Sequence, residues 1–432
     1  MWKIQSRFWL VFFFFIVIII GWFITRDEIL LRLWVFAGVL AMIGLIWGMN
    51  SVRGITLNRV ARVSRQKVGE FFEEYFEVKN TQKQWRFGLE IIDHSELGEN
   101  IGSRVLASLG PKQMRSYNTF KLLTKRGNYA LGPTTIRSGD PLGFISAKIE
   151  IKNEANLLVL PYYVDLDYFP NPSGLLLGGR TLRKPTSEAT PHAASVREYT
   201  PGDPLSRIHW PSTVRKEHLM VKEFDRDPQS TVCIFLDAQQ HQHQKTTAQD
   251  IVDETKITWM TRSKYQYQLP CDSFEYAASI SASIANFYIK QGCAAGFSCF
   301  GNTHTFIPAE KGARQLVKIL EAITFAQPAG DLPIQALVQE EIKNLSWGTT
   351  TVVITPSGHA DLEIIADMIQ LRGLNPIFVL LNINSFGGKR NYAQIRRKLN
   401  ARGVPVITIS YGDPLKPALE SMNIPTRQFS VM

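Results

Sequence analysis

No Gly-x-x-x-x-Gly-Lys-Ser/Thr loop occurs in the 432 residues, so a P-loop phosphate cradle is excluded. No Gly-x-Ser-x-Gly elbow follows a strand either, which removes the commonest serine-hydrolase arrangement. Cysteine is scarce: Cys233, Cys271, Cys293 and Cys299 form no Cys-x-x-Cys pair, which sets aside a redox dithiol and the common zinc spacings. Cys233 and Cys299 lie in apolar strand-like runs, as small buried thiols in a reducing compartment do. A small-x-small cleavage site is missing after the first apolar run, and a second run follows at once, so a secretory signal is disfavoured against a membrane anchor.

Long apolar runs are what the chain has instead. Phe8 to Thr25 and Leu33 to Met49 each approach the length that spans a bilayer, joined by a short turn at Arg26-Asp27-Glu28. Lys3 and Arg7 precede the first run, and Arg53, Arg59, Arg62, Arg65 and Lys67 follow the second, while the turn side carries only Arg26 and Arg32. The positive-inside rule then places both termini and the soluble domains in the cytoplasm of a multi-pass cell-membrane protein. The formal charge of +10 sits largely beside the membrane, where anionic headgroups attract it. No nucleic-acid module accompanies it, and nucleic acid is not an expected partner.

Residues 51–165 carry strand signals at 74–78, 87–92 and 120–123, with turns at 79–81 and 125–128, the pattern of a small antiparallel β-sandwich. Residues 166–230 are a connection, with a Gly/Pro/Ser/Thr-rich exposed part from Pro170 to Ala194. From 231 to 432 strands at 232–236, 350–355, 377–381 and 404–409 alternate with helices at 274–290, 313–325, 334–345, 362–371 and 392–401, plus a hairpin around Gly301-Asn302. Such alternation implies a mostly parallel, doubly wound sheet covered on both faces. With the hairpin of residues 1–50, the expected fold class is α/β. The polar stretch from Ala238 to Cys271 is too long for an ordinary βα loop and reads as a surface insertion or a functional lid.

Between these parts runs Arg197-Glu198-Tyr199-Thr200-Pro201-Gly202-Asp203, continuing through Arg207-Ile208-His209-Trp210 to Arg215. It shows neither helical nor strand periodicity. Gly202 before Asp203 fits a tight turn, and Arg197, Arg207 and Arg215 suit bidentate carboxylate pairing. One reading is a partly buried ion-pair knot with Tyr199 and Trp210 as packing anchors. The other is a docking surface, since Arg, Tyr and Trp are enriched at binding hot spots.

This block resembles the signature of the domain of unknown function 58 family, Arg-x-Tyr-x-x-Gly-Asp followed by Ile-x-Trp and Arg. Ser138-Gly139-Asp140-Pro141-Leu142-Gly143-Phe144 and Leu219-Met220-Val221-Lys222-Glu223-Phe224 are similar to flanking pieces of that family. The resemblance implies a von Willebrand factor A-like domain in the second half and a MoxR-type AAA+ ATPase as partner, in the assembly or maturation of other complexes. A metal-ion-dependent adhesion site in such a domain needs Asp-x-Ser-x-Ser after the first strand, because Mg²⁺ takes hard oxygen ligands. Here Asp237 is followed by Gln239 and His241 at the serine positions, and Pro356 stands where a second aspartate is expected. Asp237 is therefore expected to mark a vestigial site and to bond the neighbouring loop, with no metal and no cofactor.

His241-x-His243 is at most half a zinc site, since structural zinc takes four ligands. An alternative is a hydrolase-like enzyme using Asp203, His209 or Asp237 under the 238–271 insertion; a grouping of Asp203, Ser206 and His209 within a few residues cannot generally converge on one substrate. A lipid-surface role for Arg53 to Lys67, and a docking patch or solvated helix face at Arg396-Arg397-Lys398 through Arg402, are further readings.

Overall fold

The computed structural model describes residues 2–98, 101–140, 143–152, 155–170, 185–186, 193–200, 205–225, 231–246, 265, 267–358, 361–389 and 392–421. The chain divides into two compact units: Met1–Leu160 with Glu254–Tyr267, and Pro161–Asp253 with Gln268–Met432.

In the first unit, the apolar runs form α1 (Ser6–Thr25) and α2 (Glu28–Asn50), both long and apolar enough to cross a membrane. The link between them is short because each end is locally capped. Arg26 takes the left-handed conformation and returns its amide to Trp22, while the Asp27 carboxylate accepts from the Ile29 amide at 2.9 Å. Ahead of α1, β1 (Trp2–Ile4) pairs antiparallel with β10 (Ile145–Ile151), Trp2 opposite Ala147 and Ile4 opposite Ile145. The strand before the hairpin and the sheets after it thus lie together.

Two glycines one helical turn apart seat the hairpin on that sheet. A Cβ on Gly44 would meet the Phe144 ring at 3.1 Å, and one on Gly48 would meet Ile145 Cβ at 2.7 Å. The turn they receive joins β9 (Thr134–Gly139) to β10 and belongs to the Ser138–Phe144 motif. Asp140, buried, accepts from the Ile145 amide at 2.6 Å, and the Phe144 carbonyl accepts from the Gln5 amide at 2.8 Å.

β1, β10, β9, β5 (Arg86–Asp93) and β6 (Arg104–Leu109) form one sheet in the order β1-β10-β9-β5-β6. A second sheet, β2-β4-β7, comprises Ile55–Ala61, Phe71–Asn80 and Met114–Leu122. Period-two alternation along β4 turns Phe72, Phe76 and Val78 inward, and a core of Ile55, Phe76, Val78, Leu89, Ile91, Leu109, Tyr117 and Ile136 draws on both sheets. A third sheet orders β3 (Arg65–Lys67), β11 (Asn156–Leu160) and β8 (Gly127–Ala130) as β3-β11-β8.

Inside this unit Arg59 is clamped between Glu74 and Asp93. Its guanidinium bonds Glu74 at 2.7 Å through two nitrogens and Asp93 at 2.7 and 3.3 Å, with all three side chains almost fully buried. Burial lowers the Arg59 pKa, but bonds to Glu74 and the charges of Glu74 and Asp93 outweigh it and hold the net shift upward. Of the cations from Arg53 to Lys67, Arg59 points into the protein and is not available to a lipid surface, whereas Arg53 and Arg65 are exposed and Arg62 and Lys67 make surface pairs with Glu73 at 3.3 Å and Glu70 at 3.6 Å. Tyr267 donates to the Thr124 carbonyl at 3.2 Å and Tyr265 packs edge-on to Phe71, so the far part of the polar 238–271 stretch contributes to this unit. Residues 247–264 and 266, on which the insertion and lid readings fall, lie outside the described residues.

The second unit contains a six-stranded sheet in the order β17-β16-β15-β18-β19-β20, formed by His304–Glu310, Ala294–Phe300, Thr231–Leu236, Thr350–Thr355, Asn375–Leu381 and Val406–Ile409. All neighbours are parallel except the β16–β17 hairpin. Residues of both parities are buried along β15, β16 and β18, as in a sheet covered on both faces. α4 (Ser273–Lys290), capped by the Asp272 carboxylate on the Phe274 and Glu275 amides, is buried on nearly every side. α5 (Ala313–Phe325), α6 (Ile334–Glu341), α7 (Asp361–Leu371), α8 (Tyr392–Ala401) and α9 (Leu415–Glu420) complete the unit. The basic run at the end of α8 is not merely a solvated face: Lys398 and Arg402 each reach Glu363 of α7 at 2.8 Å. The four cysteines are all buried thiols.

Two substitutions test this architecture. Arg59→Leu, leaving two buried carboxylates unpaired, is expected to cost about 3–5 kcal/mol, read as a lowered denaturant midpoint of the detergent-solubilised protein. Gly48→Ala, which in an open helix gains about 1 kcal/mol, is expected instead to lower the thermal midpoint, because its methyl group meets Ile145.

Candidate functional site

In an open α/β sheet, loops at the carboxyl ends of the strands are where ligand groups collect. Asp237 follows the last residue of β15, and its amide still bonds the Ile354 carbonyl of β18 at 3.0 Å. Its carboxylate is 2 % exposed residue-wide and fully engaged by the protein: one oxygen accepts from the Gln239 amide at 3.0 Å, the other from the Thr355 hydroxyl at 2.6 Å. The same Thr355 oxygen accepts from the Ser357 amide at 2.9 Å, and the Tyr392 hydroxyl bonds the Pro356 carbonyl. The chain of contacts fastens the loop after β15 to the loop after β18. Beyond it, Gln239 bridges Gly330, where a side chain would collide with the Phe300 carbonyl.

Neutral His243 is held in one tautomer. Nε2 lies 2.9 Å from the Asp237 carbonyl, which can only accept, so Nε2 carries the proton. Nδ1 then accepts from Ser273 Oγ at 3.1 Å, and that oxygen accepts in turn from the Gln244 amide at 3.0 Å. The loop holding His243 is therefore bound into the unit, where the sequence reads as a solvated polar stretch; His241 does stand in solvent. Among the described residues no cluster of three or more His, Cys, Asp or Glu is placed to hold a metal ion. Nearby, Tyr276 packs edge-on to Phe386 and Tyr411; burial pushes its phenol up to about 12, against the Gly412 amide bonded at 3.1 Å.

The signature block is more regular than its sequence implies. β13 (Ala193–Glu198) and β14 (Met220–Asp225) pair antiparallel, with β12 (Pro185–Thr186) on the other side of β14. Between them come a 3₁₀ turn at Leu205–Arg207 and α3 (Trp210–Lys216). Regular elements are present where the sequence shows no periodicity, the longest of them seven residues. Ile208, Met220 and Val221 are the buried anchors, tied by the His209 amide to the Met220 carbonyl at 2.8 Å. The His209 ring bonds Ser212 at 2.7 Å.

Trp210 is not the packing anchor expected of it. It is 63 % exposed, and Val214, one turn along the same face of α3, is 78 % exposed; Leu205 and Leu219 are exposed as well. Arg215 is exposed and Tyr199 half-buried. Gly202 and Asp203 lie outside the described residues, as does most of the Pro170–Ala194 connection, and only the backbones of Arg197 and Arg207 are described. The exposed indole could not be read from sequence, since a Trp-Pro start to a short helix does not say which face is covered.

The structure is thus a mixed α/β chain with an apolar helical hairpin and several sheets. The family model described as "Protein of unknown function DUF58" matches residues 195–355, from β13 to the threonine that bonds Asp237. The chain is similar to the "Uncharacterized protein YeaD" of Bacillus subtilis (strain 168), 24 % identical over 220 residues, which is 50 % of this chain and 47 % of that protein. The chain thus spans about half the length of that relative. Among solved structures, the CARDB domain of a Pyrococcus furiosus protein is 18 % identical with a TM-score of 0.18, covering 24 % of this chain and 87 % of its own. A GH20 exo-β-N-acetylglucosaminidase from Vibrio harveyi, 8 % identical, has a TM-score of 0.18 over 81 % of this chain and 59 % of its own.

Thr355→Val keeps the side-chain shape and removes the buried hydroxyl, leaving an Asp237 oxygen short of a donor. It is expected to destabilise the protein by about 1–3 kcal/mol, measured by chemical denaturation, whereas Thr355→Ser retains most of the stability.

Proposed function

We propose that this chain is a membrane-anchored, non-catalytic interaction protein whose von Willebrand factor A-like second unit works with a MoxR-type AAA+ ATPase in assembling or maturing other complexes. The observation that carries this reading is the exposed Trp210–Val214 face of α3 within the family-matched region. Large apolar side chains flanked by Arg215 and Lys216 are the composition of a binding hot spot, and they favour an apolar partner segment with acidic neighbours. Strand order β17-β16-β15-β18-β19-β20 with one antiparallel edge supports the von Willebrand factor A-like assignment. The engagement of Asp237 by Thr355 and Gln239 supports a degenerate metal position.

Membrane topology follows the same reading. If α1 and α2 cross the bilayer, the β1–β10 pairing keeps the segments before and after the hairpin on one side, and the basic excess there supports that side being the cytoplasm.

The test is purification from native membranes with ADP or a non-hydrolysable ATP analogue, followed by mass spectrometry. A stoichiometric, nucleotide-dependent AAA+ ATPase is expected with the natural chain and is lost with Trp210→Ala plus Val214→Asp, variants that leave folding intact because both positions face solvent. Recovery of the same ATPase from the double variant overturns the assigned surface; a partnerless natural chain overturns the ATPase reading.

A further inference from the structure

The end of the first unit that follows α2 is built from three loops hydrogen-bonded to one another. The Thr81 amide reaches the Gly54 carbonyl at 2.8 Å, Asn80 Nδ2 reaches the Gln84 and Gly110 carbonyls at 2.7 and 2.9 Å, and the Lys112 amide reaches Gln82 at 3.0 Å. Two properties of this end are unusual for a water-facing surface.

The first is a row of aromatic side chains that starts on a membrane-length helix and runs onto the sheet. Trp47, in the last turns of α2, lies 5.8 Å from the Phe87 ring, and Phe87 stacks on Trp85 at 6.1 Å and 14°. Trp85 is 54 % exposed, Phe87 42 % and Met114, the first residue of β7, 53 %. Large apolar groups left in water at this density mark an interaction surface.

The second is charge of one sign. Residues 50–69, 79–89 and 104–119 contain no Asp or Glu, while Arg53, Lys79, Lys83, Lys112 and Arg115 are all exposed there. Lys112 is held at φ 51, a left-handed conformation uncommon outside glycine. Trp rings at the headgroup level, with cations beside them, are how proteins anchor at the edge of an anionic bilayer.

We propose that Trp85, Phe87 and Met114 form a ledge that enters the interfacial zone of an anionic bilayer beside α2, with the surrounding lysines and arginines on lipid phosphates. This rests on the membrane-anchored reading and adds a second, monotopic contact to it. The first unit is then held at the membrane by its own surface as well as by the hairpin, which fixes its tilt.

The experiment uses the full chain in nanodiscs of phosphatidylcholine and phosphatidylglycerol. Single nitroxide labels are placed at Trp85→Cys, Met114→Cys, Val39→Cys and Lys125→Cys; the native cysteines are buried. Val39 reports mid-α2. Lys125 is exposed and lies past the far end of β7 from Met114. The expected result is a several-fold higher ratio of oxygen to nickel-chelate collision at 85 and 114 than at 125. Labels at 85 and 114 as nickel-accessible as 125, with 39 seen by oxygen alone, overturn the ledge and leave the anchor standing. Nickel access at 39 as well overturns the anchor, and the ledge with it. Protection at 85 from both reagents, with mutual spin broadening, overturns the ledge in favour of a contact between two copies of the chain.

Discussion

The close approach of Gly44 and Gly48 to the β9–β10 turn governs the first unit. Without side chains at these two positions, α2 can lie against Phe144 and Ile145, and that contact sets where the hairpin leaves the sheet. The turn in turn depends on the buried Asp140 carboxylate holding the Ile145 amide. Small-xxx-small spacing usually lets two membrane helices meet; here the glycines receive Phe144 and Ile145 at the start of β10. The Ser138–Phe144 motif therefore has a physical role as the seat of the helices, and the aromatic row from Trp47 to Trp85 continues from the same junction.

Much of the second unit was legible because its elements are long and strongly patterned. Asp272-Ser273 predicts the start of α4, and Asp272 makes the capping bonds; the α5 and α8 spans follow their apolar periodicity, and β18 its unbroken run of strand-forming residues. Short elements were not legible. β1 is three residues long and pairs with a strand at the far end of the unit, so nothing local announces it. β13, α3 and β14 are each too brief to show a period.

Arg59 is the instructive error. Counted by charge it is one more basic residue after a membrane helix, but β2 turns Ile55, Leu57 and Arg59 to one face in period two. The alternation was present in the sequence, and it pointed the guanidinium at the core. The contacts of Asp237 were half visible: a carboxylate bonding its own loop is a common local pattern. Its bond to Thr355 crosses 118 residues of chain and depends on β15 and β18 being neighbours, which only the sheet order reveals. The exposure of Trp210 is likewise a tertiary fact, with Ile208, two residues earlier, taking the buried place.

The β1–β10 pairing also orders events during synthesis. A chain emerging from the ribosome folds its earliest segments first when their partners are local, yet β1 has no partner until β10 is made, long after α1 and α2 have appeared. The first strand must wait, unpaired, while the hairpin finds its surroundings. The strand ahead of the helices is therefore set later than the helices that follow it in the chain.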